Sequence, residues 1–178
     1  MDKLQLSENL YLVGLMGAGK TTIGRSLAKR LNVDFIDSDR EIEARTGVSI
    51  PTIFEIEGED GFRKREAQMI ADLSRVPGRV IATGGGVVLR QENRLNLAAS
   101  GFVVYLNVPP QTLWERTRHD RNRPLLQVAD PLGKLSELHA QRDTFYREIA
   151  DLVIDSSRIN AQAVLQLLIK EVSERWKL

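Results

Sequence analysis

A chain of 178 residues, 42% of them apolar and 28% charged, is long enough for one domain with a real core. Its formal net charge of +1 gives no electrostatic case for nucleic acid. It has no cysteine, which excludes disulfides, zinc–thiolate sites and thiol catalysis. No apolar run approaches membrane-spanning length. The first ten residues lack the charged start and apolar core of a signal peptide, so a cytoplasmic protein away from membranes is expected.

In chain order, the apolar run Leu10–Val13 predicts a first strand. Gly14-Leu-Met-Gly-Ala-Gly-Lys-Thr21 follows and reads G-x-x-x-x-G-K-[ST]. Ile23, Leu27 and Leu31, four apart, predict a helix after it. Strand, glycine loop, helix is the arrangement that a phosphate-binding loop requires. Gly14, Gly17 and Gly19 let the loop curl with N–H groups inward, and the helix adds its unpaired N–H groups and positive dipole end. Lys20 is expected at the β- and γ-phosphates of a nucleoside triphosphate and the Thr21 hydroxyl on Mg²⁺. Gly17, Ala18, Gly19 and Thr22 complete the expected nucleotide contacts. The structural alternative is a glycine-rich turn beside a surface lysine. A chance match in a chain of this length arises about one time in a hundred.

Val33–Ile36 predicts a second strand ending in Asp37-Ser38-Asp39. One acid suits Mg²⁺ or its waters, and another suits a phosphoryl acceptor whose hydroxyl must be oriented or deprotonated. The two are expected to point to opposite sides and to serve different ligands. Ser38-x-x-Glu41 is also a capping-box pattern, which would give the acids a merely structural role. In Gly61-Phe62-Arg63, the arginine lies three residues before Glu66, the spacing of a solvated helical pair, and Phe62 alone reads as core. Arg79–Ala82 predicts a third strand ending in Thr83-Gly84-Gly85-Gly86. Three glycines admit close backbone approach and free N–H donors, or simply a flexible turn.

Phe102–Leu106 predicts the fourth strand, ending in Asn107-Val108-Pro109-Pro110. The polar, basic stretch Arg121–Leu126, near Asp120 and Asp130, suits a mobile lid that brings an arginine to phosphates, or a solvated loop. Leu135, Leu138, Phe145 and Ile149 trace an apolar helical face that also carries Arg142. Burying that guanidinium is costly unless an anion meets it. A structural ion pair or a snorkelling side chain are the alternatives. Leu152–Ile154 predicts the fifth strand, and Asp155 after it means that position alone does not identify the metal acid. Val164, Leu168, Val172 and Trp176 stripe a last helix. His119 and His139 have no ligand spacing and read as solvated. The alternation predicts an α/β fold: a three-layer α/β/α sandwich around a five-stranded parallel sheet, one domain over residues 1–178, with the strand ends crowding one rim.

Five motifs in this order resemble the shikimate kinase family of nucleoside monophosphate kinase-like P-loop proteins. They are Gly14–Thr22, Asp37-Ser-Asp39, Gly61-Phe-Arg63, Gly84-Gly-Gly86, and Arg123-Pro-Leu-Leu126 followed by Arg142-x-x-x-Tyr146. The resemblance covers nearly the whole chain. It implies a P-loop kinase fold with a mobile lid at about 117–131, an acceptor region at about 38–66, and ATP- and Mg²⁺-dependent phosphorylation of the 3-hydroxyl of shikimate, a step of aromatic amino-acid synthesis. By it, Asp39 takes the shikimate hydroxyls, and Arg63 and Arg142 take the carboxylate. Gly84, Gly85 and Gly86 line the ring, Phe62 walls the pocket and Glu66 supports Arg63. Thr21 ligates Mg²⁺ and Asp37 acts through metal-bound water. Lys20, Asp39 and Arg123 are the implied catalytic set. Arg116 and Arg158 flank adenine, and Asp155 becomes an adenine-side acid. A monomer is expected. Ser38 replaces a familiar threonine, and the proline of an Arg-x-Pro-Leu-Tyr pattern is absent from Arg142-Asp-Thr-Phe-Tyr146. A gluconate kinase-like sugar-acid kinase and a nucleotide-dependent switch remain the other readings. The guanine-reading Asn-Lys-x-Asp pattern is absent.

Overall fold

The computed structural model describes residues 6–156 and 159–176. Strands and helices alternate through them: β1 (Asn9–Val13), α1 (Lys20–Leu31), β2 (Asp34–Asp37), α2 (Ser38–Thr46), α3 (Ile50–Ser74), β3 (Arg79–Ala82), α4 (Gln91–Ser100), β4 (Gly101–Asn107), α5 (Pro110–Thr117), α6 (Pro131–Ile149), β5 (Leu152–Asp155) and α7 (Ala161–Trp176). Single 3₁₀ turns lie at Val87–Leu89 and Pro124–Leu126. Each expected strand is present, its ends within one residue of the apolar run that predicts it.

The strands form one parallel sheet in the order β2-β3-β1-β4-β5. β1 is central and all five of its residues are buried, which is why it reads as a continuous apolar run. β2 departs from that pattern. It is an edge strand, with Asp34 exposed and the other three residues half-buried. Right-handed crossovers send the β1-to-β2 and β3-to-β4 connections to opposite faces. Accordingly α1 packs with α7, while α3, α4 and α6 pack among themselves. β1 and β3 are neighbours whose following segments leave in opposite directions, and a crevice opens beyond their carboxyl ends.

Two local features shape that crevice. Helix α2 is capped by Asp37, whose Oδ1 accepts from the N–H groups of Asp39 at 3.0 Å and Arg40 at 3.3 Å. The cap is therefore one residue earlier than the capping-box pattern places it, and the Ser38 side chain is free for another task. Helix α3 is broken at Gly58, where φ 72° and ψ 179° leave helical space. Only glycine reaches that backbone geometry without strain, so the break is fixed by residue type. Among the described residues, no helix is long and apolar enough to cross a membrane.

Candidate active site

The loop after β1 turns into α1 at Gly19, which is left-handed with φ 96° and provides no side-chain cap. The first N–H groups of α1 therefore remain available to an anion. Lys20 is 8% exposed, and its Nζ donates to the carbonyls of Gly14 at 2.6 Å and Leu15 at 2.8 Å. Burial, and then the charge of Arg123, lower its pKa to about 7. Gly17, Ala18, Gly19, Thr21 and Thr22 line a cleft of ≈ 810 Å³ running along the strand ends. Arg116, from α5, reaches back to the loop and donates to Gly17 O at 3.0 Å. Ser156, Ile159, Ala161 and Val164 close the far end of the cleft. Arg158, expected there, lies outside the described residues.

The Thr21 hydroxyl donates to Asp37 Oδ2 at 2.7 Å, so one carboxylate both caps α2 and meets the loop. Asp155 instead accepts from Asn107 Nδ2 at 2.5 Å on the sheet rim. Geometry thus separates two acids that strand position leaves equivalent. Among the described residues, no group of three or more His, Asp or Glu side chains stands ready as a metal cage. A hydroxyl with one carboxylate behind it fits Mg²⁺, which keeps several waters and takes its remaining ligands from phosphates.

Asp37 and Asp39 both line the large cleft, and the divergence expected of them does not follow from an extended chain. Residues two apart in a continued strand would share one side. Here the strand ends at Asp37, and Asp39 turns on the first turn of α2. Its Oδ1 is closed off from solvent and has no hydrogen-bond partner among the described residues. Burial, then the neighbouring charges of Glu66 and Asp37, push its carboxyl up to about 7.

Arg63 and Glu66 form a buried pair rather than the solvated pair their spacing suggests. Arg63 Nη1 lies 2.9 Å from Glu66 Oε1, and the Glu66 side chain is 1% exposed. Burial raises the Glu66 carboxyl, and Arg63 pulls it back down. Arg142 is also 1% exposed. Its Nε and Nη1 lack partners, and none of the ion pairs among the described residues includes it. It neither snorkels nor joins a structural ion pair. On α6 the buried stripe passes through Tyr146 rather than Phe145, and the Tyr146 hydroxyl donates to the carbonyl of Gly85. Arg94 instead lies over the half-buried Phe145 ring, 4.3 Å from its centroid.

The glycine turn after β3 joins these parts. Gly84 N–H donates to Ser38 Oγ at 3.2 Å, the task left to a serine that does not cap. A Cβ on Gly84 would lie 2.7 Å from Asp39 Oδ1 and 2.8 Å from Glu66 Oε2. One on Gly86 would lie 2.3 Å from the Arg63 guanidinium. The turn is therefore bare because side chains from α2 and α3 lie directly on its backbone. With Phe62, Arg63 and Arg142 it lines a smaller pocket of ≈ 90 Å³, which Met16, Asp39, Gly84 and Arg123 share with the large cleft or its mouth. Ile50, Phe54 and Leu125 add apolar wall. These three carry no signal in sequence beyond being apolar. Arg123 stands between the two spaces, its Nε 3.0 Å from Asp120 Oδ2. His139 is half-buried and its Nε2 meets Asn107 Oδ1 at 2.9 Å, so it is not solvated as expected; His119 is exposed.

The site thus joins the cleft at the glycine loop to a small pocket lined by Asp39, Arg63 and Arg142. Comparisons with known proteins place the chain in a family. The family model described as shikimate kinase matches residues 16–173. Shikimate kinase of Dechloromonas aromatica is 63% identical over 163 residues, covering 92% of this chain and 89% of that protein. Shikimate kinase of Aromatoleum aromaticum is 58% identical over 168 residues, covering 94% of this chain and 96% of that protein. The solved structure of shikimate kinase from Acinetobacter baumannii in complex with shikimate superposes with a TM-score of 0.91 at 46% identity, covering 94% of each chain. The chain belongs to the shikimate kinase family.

Proposed function

We propose that this protein transfers the γ-phosphoryl group of ATP to the 3-hydroxyl of shikimate, giving shikimate 3-phosphate and ADP, a step toward the aromatic amino acids. The observation that carries this reading is the pair Arg63 and Arg142, both buried and lining one pocket with Asp39, with unpartnered N–H groups on Arg142. Unpaired buried guanidinium donors are costly, and a carboxylate ligand offsets that cost. The acceptor is thereby a hydroxy-acid of a size that fits between these groups.

The loop N–H groups, Lys20 and Arg123 hold the triphosphate, and Arg116 and the segment after β5 hold the base. Arg63 and Arg142 fix the shikimate carboxylate by charge-assisted bonds, which set angle as well as distance. Gly84–Gly86 carry the ring against their bare backbone, with Phe62 as a wall. Asp39 orients the attacking hydroxyl and accepts its proton; the new bond forms from that oxygen to the γ-phosphorus. The bond from phosphorus to the β–γ bridging oxygen breaks, and ADP leaves with the electron pair. Lys20 and Arg123 stabilise the charge on the transferring group. Thr21 and Asp37 would hold Mg²⁺, which would supply neutralising charge to the phosphates. Residues 117–131 act as the lid that keeps water from the phosphoryl group. The protein works as a cytoplasmic, single-domain monomer without nucleic acid or membrane partners.

A coupled assay of ADP release tests the reading. Release is expected to require shikimate and Mg²⁺. Equal release with gluconate, or release indifferent to every hydroxy-acid, would overturn it in favour of a sugar-acid kinase or a nucleotide switch.

A further inference from the structure

Arg63 of the small pocket pairs with two acids, one buried and one half exposed. Glu66, 1% exposed, stays with Arg63 Nη1 at 2.9 Å. Glu59 lies on the other side, its Oε1 3.4 Å from Arg63 Nη2, and its side chain is 47% exposed. Glu59 directly follows the break in α3 at Gly58, one helical turn before Arg63. Its charge also reaches Arg142. Two guanidiniums offset by one buried carboxylate leave a single positive charge to be matched. Glu59 and an incoming carboxylate both match it, and they approach the same arginine.

We propose that Glu59 is a displaceable counterion for the Arg63–Arg142 pair, which a substrate carboxylate must push aside, so that Glu59 tempers the affinity of the pocket for its acid. The consequence is a weaker hold on the substrate: part of the attraction of Arg63 for the carboxylate is cancelled by Glu59. The inference rests on the proposed seat of the shikimate carboxylate at Arg63 and Arg142.

The test is Glu59→Gln, which keeps the side chain's shape and removes its charge. A half-exposed ion pair of this kind is worth about a 2–5-fold change in affinity. The expected result is a shikimate KM lower by that factor, and a fall larger than any change in kcat. Cyclohexanecarboxylate, a carboxylate without hydroxyls, is the second readout: it should inhibit Glu59→Gln more tightly than the wild type. An unchanged KM would make Glu59 a spectator, and a raised KM would make it a support for Arg63; either overturns the proposal. Arg142→Met run beside it separates the two failures. If that variant leaves the shikimate KM unchanged, the carboxylate seat itself is wrong. If it raises KM while Glu59→Gln does not lower it, only the counterion role falls.

Discussion

Lys20 and Asp39 carry opposite charges, yet both titrate near pH 7 because burial disfavours the charged form of each. For Asp39 this has a cost in stability. Its carboxyl is lifted from 3.8 to about 7, so the folded state holds a proton that the unfolded chain gives up. That contribution is full below pH 4 and is lost as pH rises through about 7, up to about 4 kcal/mol. Asp39→Asn should therefore gain thermal stability over the wild type at pH 8 and less than half as much at pH 5, followed by circular dichroism. The same change should lower turnover about 10²–10⁴-fold, the usual worth of a positioned proton acceptor. A stability gain independent of pH would show that burial of the charge is not its source. Arg142 follows the same logic. Arg142→Met removes a buried charge with two unpartnered nitrogens, and a rise in melting temperature is expected. Its shikimate KM should rise about 10–150-fold, the worth of a lost hydrogen bond to a charged group.

At the level of elements, the glycine turn after β3 is where helices α2 and α3 and helix α6 meet. Gly86 has φ −91°, a backbone that alanine adopts freely, so Gly86→Ala introduces no backbone strain. What it introduces is a methyl 2.3 Å from the Arg63 guanidinium. The expected outcome is a shikimate KM raised about tenfold or more, with a much smaller change in the KM for ATP. Equal changes in both would mean that the turn, and not Arg63, had moved. Much of this layout is legible in the chain. Short apolar runs mark strands because parallel strands are buried on both faces, and a charge within an apolar helical face marks Arg142. Other parts are not legible. The Ser38-x-x-Glu41 pattern suggests the wrong cap because Asp37 is just as good a capping residue and lies one position nearer the strand. The Arg63–Glu66 spacing is the same for a solvated and a buried pair, and only the packing of α3 against α4 and the glycine turn decides between them. The break at Gly58 needs a left-handed backbone, which an isolated glycine in a helical stretch permits but does not require.

Across the whole molecule, the sheet order puts the two substrates' parts of the proposed site on β1 and β2, with β3 and its glycine turn between them. Either ligand binds the folded state alone and should stabilise it by linkage. Shikimate at one hundred times its Kd adds about 2.7 kcal/mol, a rise in melting temperature of about 5–11 °C for a chain of this size. Arg142→Met should lose the rise with shikimate and keep the rise with ATP. A shift with shikimate that survives in that variant would place the carboxylate elsewhere.

β1 lies at the centre of the sheet with every residue buried, whereas β2 lies at its edge and is half-covered. The phosphate loop hangs from the first and the acceptor acid from the second. Edge segments open locally long before a central strand does. The amides of residues 34–39 should accordingly exchange with deuterium well ahead of those of residues 9–13. The molecule therefore has an order of failure built into its topology: under stress it loses the means of recognising an acceptor first, and its grip on the triphosphate last.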